Sequence, residues 1–378
     1  MRILVTAFPG LGHLHPLVPL ALAAQTAGHD VRLGIGADLV GWARRCGLDA
    51  WPVGLTVAAA HLVVAREHRG PDRANHLFTD VCVPAALPEL LDLASTWRPE
   101  LVLHEEAEYA GVLLAAILDI GCVTQSWSSP ARPAASREAQ TRLLAPVWDR
   151  YLPGAPPRRE GRLYLDACPA PFQTDDIAGI ARTTRVEAVG PALFDGPPAP
   201  APDWLADLPR PAAYLTLGTV DVFSTPAMLA HAASALSLGF ASVVVSTGPN
   251  PVSSLGLLPP HVRAVQYLPQ SLVLPSVDVV VSHGGAGGSV AALAHGLPHL
   301  VLAGTGDSQR TTAAAVQRIG AGLALATEER SAARIAEAAA RLVDEPAFAA
   351  AARRAGDEIA RRPGPSATLA LLESDLAG

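Results

Sequence analysis

Cysteine is nearly absent from this chain. Its 378 residues include four, Cys46, Cys82, Cys122 and Cys168, with no CxxC and no paired spacing. A disulfide framework or a thiolate metal knuckle is thereby excluded, and buried free thiols in a reducing compartment account for all four. Basic charge is also short: 28 Lys and Arg against 35 Asp and Glu give a formal net charge of −7 without a long basic run, so no nucleic-acid partner is expected. Half of the residues are hydrophobic, yet no apolar run reaches the ~18–20 residues that cross a bilayer uninterrupted by Gly, Pro or charge. The opening MRILVTAFPG is broken too early, by Pro9 and Gly10, for the core of a signal peptide, and a cytoplasmic location is expected. No Asp-x-Asp follows a strand and the histidines lack the close helical spacing of a zinc site, so neither a metal nor an organic cofactor is called for. No fixed-period repeat is present.

What the chain does have is strand and helix in alternation. RILVTA (Arg2 to Ala7) reads as a strand, Pro16 suits a first helical turn, Gly28 suits the position past a helix end, and HDVRLGI resumes as a strand. Pro84 to Trp97 leads into LVLH, and Tyr109 to Leu118 into CVTQSW. FDGPPAPAPDW (Phe194 to Trp204) carries four prolines and reads as a linker. Beyond it AYLTLGTV, SVVVSTG, VRAVQYL, VDVVVSH and HLVLAG repeat the rhythm, and Arg334 to Arg362 is an alanine-rich helical stretch broken at Pro346. The fold class is therefore α/β, with two doubly wound parallel-sheet, Rossmann-like domains facing across a cleft. The expected divisions are 1–195, a linker over 196–210, 211–360, and a terminal helix over 361–378.

Ligands of such sheets bind beyond the carboxyl ends of the strands. One post-strand turn is His283-Gly284-Gly285-Ala286-Gly287-Gly288-Ser289, leading into a helix over Val290 to Ala294. Glycines let backbone N–H groups approach a ligand, and a helix start favours phosphate. His283 and Ser289 can each donate a hydrogen bond; a tight turn capped by serine is the plainer alternative. Gly218-Thr219 forms a second small turn, and Tyr267 of YLPQ offers an aromatic face to a base.

TLGT, YLPQ, SHGGAGG, HGLPHLVL and GAGLAL, with PGLGHLHPLVPLA at the start, resemble in order and spacing the GT-B nucleotide-sugar-dependent glycosyltransferases of bacterial natural products. The resemblance covers nearly the whole chain, least clearly from Ser136 to Ala192. It implies that the C-terminal half holds the donor, the N-terminal half the acceptor, and that the last helix crosses back. Donor contacts would come from Gly218, Thr219, Tyr267, Leu268, Gln270, His283, Gly284, Gly285, Gly287, Gly288 and Ser289, with Asp307, Ser308 and Gln309 at the sugar. Partners would be a nucleotide sugar and a small-molecule aglycone, with no membrane and with a homodimer allowed.

Gly12-His13-Leu14-His15-Pro16 matches the family's GHxxP, so the resemblance gives His13 the general-base role, for which imidazole chemistry is apt; capping the next helix is the alternative. Behind it an acid is expected from LVLHEEAEYAG: Glu105, or else Glu106, unless both merely start a solvated helix. Gly12, His15, His61 and Trp127 are candidate acceptor contacts, Trp127 being equally a core residue, and His68 and His76 carry no more than that. A dinucleotide reading of GLGHLH fails because the third glycine falls on His15. The family's ribose-binding glutamate falls on Ala291, and its Asp-Gln pair on Ser308-Gln309 with Asp307 one residue early, which together point to a dTDP-linked deoxysugar. C-transfer, a sugar-nucleotide epimerase and a silent helper of a partner transferase remain open alternatives.

Overall fold

The computed structural model describes residues 1–378 except 71, 192, 220–223, 305 and 378, and excepting the side chains of 307, 376 and 377. Strand-length apolar runs bounded by glycine and proline give thirteen strands among the described residues, all paired in parallel. β1 (Arg2–Thr6), β2 (Asp30–Ile35), β3 (Asp49–Pro52), β4 (Leu101–Glu105), β5 (Gly121–Gln125), β6 (Leu163–Asp166) and β7 (Arg185–Ala188) form one sheet in the order β3-β2-β1-β4-β5-β6-β7. β8 (Ala212–Thr216), β9 (Ser242–Ser246), β10 (Val262–Val265), β11 (Val279–Ser282), β12 (His299–Leu302) and β13 (Gly322–Leu325) form the other, β10-β9-β8-β11-β12-β13. Both orders reverse beside their first strand, and the crevice of a doubly wound sheet opens at that reversal. β1 lies against β4 with Thr6 opposite His104, and β8 against β11 with Thr216 opposite Ser282, so the loops that follow these four strands share the crevice ends.

Helices cover both faces of each sheet, and the central strands are buried in the manner of parallel sheets, while the edge strands β3 and β7 are largely exposed. Two expectations shift. The region around Pro16 is two helices, Leu11–Leu14 and Val18–Thr26, with Pro16 in the turn between them. The helix after the glycine turn begins at Ala286 rather than Val290, so Gly287, Gly288 and Ser289 lie inside it, where Gly287 has open space around its Cα. Val220, the last residue of AYLTLGTV, lies outside the described residues.

The terminal helix Pro365–Ala377 packs on Val18–Thr26, adding Leu369 and Leu372 to the core of the first sheet. Glu373 meets His29 at 2.9 Å, and Asp375 takes Arg162 at 2.9 Å and Arg185 at 3.0 Å. Among the described residues no helix is long and apolar enough to cross a membrane.

Candidate functional site

The loop that leaves β1 turns at Gly10 into the short helix Leu11–Leu14, and this turn carries His13 over the end of β4. His13 Nδ1 stands 3.1 Å from Oε2 of Glu105, the last residue of β4, although neither atom is aligned as a hydrogen bond. The Glu105 carboxylate is wholly buried, and its Oε1 accepts the Ala107 N–H at 2.8 Å. Aromatic rings enclose the imidazole: Phe8 at 4.8 Å, Phe78 at 5.6 Å and Trp127 edge-on at 4.1 Å. The Arg132 guanidinium lies 4.9 Å from the Trp127 ring and 5.2 Å from that of Phe78.

Glu106 turns elsewhere. It accepts from the Tyr164 hydroxyl and, at 3.4 Å, from the Trp127 N–H. Burial pushes its carboxyl up to about 7 against the opposing pull of Arg132 and of the Tyr164 hydrogen bond. Glu105, not Glu106, thus stands beside His13. The third acid of the run, Glu108, caps the helix Tyr109–Leu118 through the N–H groups of Ala110 and Gly111 and accepts from Thr6. Burial likewise raises it to about 7.

His15 does not reach this cage. Its ring stacks on Trp42 at 5.0 Å and meets Phe194 at 5.8 Å, and burial lowers it to about 4 despite Asp195. The reason is helical: two residues along a turn point to different sides. Gly12 is exposed with nothing within 4 Å of an added Cβ, and His61 is half-buried in the helix Val57–Glu67. Phe8, Phe78 and Arg132 were missed in sequence, the last two because they belong to segments without a motif.

On the donor side His283 leaves β11 and wedges between two backbones. A Cβ at Gly218 would stand 2.6 Å, and one at Gly285 2.8 Å, from its Cε1. Gly218 has φ +83, a conformation open mainly to glycine. Burial lowers the imidazole to about 4, so the ring is neutral near pH 7. The Gln270 amide lies over Gly288, 3.3 Å from where a Cβ would be, which gathers Gln270, His283 and the helix start at 286–288 in one place. Those first amides precede the first N–H taken up inside the helix, that of Ser289, which pairs with the Gly285 carbonyl.

Three donor candidates have their polar or apolar groups engaged elsewhere in this structure. The Ser289 hydroxyl is buried and donates to the Gly285 carbonyl at 2.9 Å, so it does not face the turn. The Gly284 N–H donates to the Ser282 hydroxyl at 3.0 Å, and its Cα faces Val301: its φ of +87 makes the bend and its smallness the packing. The Leu268 side chain belongs to the core under β8 and β11. The Asp307 side chain lies outside the described residues, while Ser308 is exposed beside it. Gln309 is buried beneath Gly304 with both amide atoms unpaired among the described residues. Thr219 is exposed, as is Tyr267, whose hydroxyl donates to the Asp195 carbonyl. Asp195 also accepts the Ser271 N–H at 2.6 Å. This linker acid, unremarked in sequence, ties the first half to the Tyr267 turn.

Two family profiles match the chain in succession, described as "Erythromycin biosynthesis protein CIII-like" N-terminal domain over residues 22–218 and C-terminal domain over 234–374. The L-demethylnoviosyl transferase of Streptomyces niveus is 33% identical over 384 residues, covering 97% of this chain and 96% of that protein. Among solved structures, spinosyn rhamnosyltransferase SpnG superposes with a TM-score of 0.84 at 26% identity, over 99% of this chain and 100% of that one. The same enzyme complexed with thymidine diphosphate gives a TM-score of 0.83 at 26% identity, again over 99% and 100%.

Proposed function

This chain belongs to the erythromycin biosynthesis protein CIII-like family and is a GT-B nucleotide-sugar glycosyltransferase of the natural-product class, and on that premise we propose an inverting transfer in which His13 is the general base. The acceptor hydroxyl loses its proton to His13 Nε2 as its oxygen bonds the anomeric carbon. The bond from that carbon to the diphosphate oxygen breaks on the opposite face, and the diphosphate leaves with the electron pair. Glu105 keeps Nδ1 protonated and stabilises the imidazolium that forms. The observation that carries this reading is the 3.1 Å approach of His13 to a buried carboxylate at the crevice end of β4. No metal enters the step: the N–H groups of 286–288 and His283 offset the charge of the leaving diphosphate.

The acceptor that suits a cage of Phe8, Phe78 and Trp127 is a flat, largely aromatic aglycone. The donor is a dTDP-linked deoxysugar. Ala291 stands where an acid would grip a ribose 2′-hydroxyl, and a similar enzyme was solved with thymidine diphosphate. Competition calorimetry with dTDP and UDP tests the nucleotide: dTDP is expected to bind more tightly, and tighter UDP would overturn the assignment. His13→Ala tests the base, with turnover expected to fall about 10²–10⁴-fold while dTDP affinity holds; wild-type turnover would remove His13 from the step.

A further inference from the structure

Between the helices Val57–Glu67 and Cys82–Trp97 the chain runs through a short helix, Arg73–His76, straight into a π-helical turn, Leu77–Val81. Such wide turns are rare and gather at functional sites. This one presents Phe78 to the His13 ring. Two residues on, Asp80 meets a pair of histidines. His76 Nδ1 is 2.9 Å from Oδ2 and 3.0 Å from Oδ1, and His68 Nε2, from the residue that closes the helix Val57–Glu67, is 3.7 Å from Oδ2. The imidazoles stack at 3.8 Å with 15° between their planes. The single Thr79 hydroxyl proton lies between the Asn75 carbonyl at 2.7 Å and Asp80 Oδ1 at 3.0 Å.

We propose that His68 Nε2, His76 Nδ1 and an Asp80 carboxylate oxygen hold a divalent transition-metal ion of the zinc type, and that the ion fixes the π-helical turn and with it the Phe78 wall. The three donor atoms lie within 4.8 Å of one another, and ligation at the ~2.0–2.2 Å of a tetrahedral zinc turns the two imidazoles out of their stack so that both in-plane lone pairs meet the ion. Two imidazoles with one carboxylate suit zinc, cobalt or nickel, whereas magnesium and calcium take oxygen sets. Hydrogen bonding to Asp80 accounts for His76 but not for the second ring, which stops beyond hydrogen-bond reach of the carboxylate while converging on it. Ligation takes the His76 tautomer that carries its proton on Nε2, which leaves the Nδ1 lone pair to the ion. The Thr79 hydroxyl is then the outer partner that such ligands usually have. This ion takes no part in sugar transfer, and its binding does not depend on the role given to His13.

The test uses the full chain, freed of metal by chelator dialysis and titrated by calorimetry with zinc(II), and by absorption with cobalt(II). One equivalent is expected, with the intense visible bands of four-coordinate cobalt. His68→Gln and Asp80→Asn should each weaken binding at least tenfold, and His13→Ala should leave it unchanged. Zinc should lower the acceptor KM while the dTDP Kd holds. The proposal would be overturned by the lack of a saturable site in the wild type, or by an affinity that survives both substitutions. Loss of binding in His13→Ala would assign the ion to the His13–Glu105 pair and equally sink it. His68→Gln, half-exposed at a helix end, should leave the far-ultraviolet spectrum unchanged, which separates lost ligation from lost fold.

Discussion

Glu105 ends β4 and Glu106 begins the turn after it, and their side chains part there. One reaches His13; the other enters an apolar pocket beside Tyr164 and Trp127. Glu105→Gln removes the charge that balances the imidazolium, so turnover should fall with dTDP affinity intact, by less than in His13→Ala because the base itself remains; equal turnover would place Glu105 outside the step. Glu106 answers to pH instead. Its folded value of about 7 lies above its ordinary 4.5, so the fold keeps a proton that the unfolded chain releases between them. Its contribution to stability is complete below the lower value and is lost as pH rises through the higher one. Between roughly pH 5 and pH 8 the melting temperature of wild type should therefore drop more than that of Glu106→Gln; parallel curves would show that the carboxyl is ionised throughout.

The helix Ala286–Ala294 and the turn before it work as one element. Ser289→Ala removes a hydroxyl already bound to the Gly285 carbonyl, and dTDP affinity should stay within about twofold in calorimetry. Gly285→Ala sets a methyl 2.8 Å from the His283 ring. Overpacking of this kind costs about 1–3 kcal/mol of stability, to be read as a lower melting temperature, and the displaced His283 ring should weaken dTDP binding in calorimetry; an unchanged melting temperature and affinity would show that the turn absorbs the methyl. Both outcomes turn on where the helix starts, the detail that sequence conveyed least. Alanine and glycine in 286–289 carry no start signal beyond Ser289, so that serine draws the cap to itself, whereas the structure caps at Gly285 without any side chain. The strands on either side were legible because β11 and β12 are unbroken apolar runs. β3 and β7 were not, because their polar and bulky residues interrupt any apolar run, Trp51 and Pro52 in the first and Arg185 and Glu187 in the second, and β6 follows a stretch without a motif. Of the acceptor cage, His13, Glu105 and Trp127 could be named in advance because they follow readable strands. Phe78 comes from a π-helical turn, for which no hydrophobic period exists to be recognised.

At the scale of the molecule the two sheets are tied at several points, among them the return of the helix Pro365–Ala377, the Arg318 guanidinium on the carbonyls of Pro171, Phe172 and Gln173, and the linker acid Asp195. Leu372, 3% exposed, sits in the core of the first sheet although it follows the second in the chain. Leu372→Ala should cost about 2–5 kcal/mol, seen as a lower melting temperature with dTDP affinity unchanged, because no donor contact is touched; an unchanged melting temperature would mean that the helix merely rests there. The Asp195 tie runs from Tyr267 through Asp195 to Phe194, and from there to the stacked rings of His15 and Trp42. An indole so placed is a built-in optical gauge. If dTDP binds with its base against Tyr267, as the proposed donor site requires, any shift of the Asp195 tie is passed to Trp42 through its direct contact with Phe194, and the emission of Trp42 should change. Subtracting the spectrum of Trp42→Phe isolates that signal from the other tryptophans, so donor occupancy could be followed in the unlabelled protein in real time.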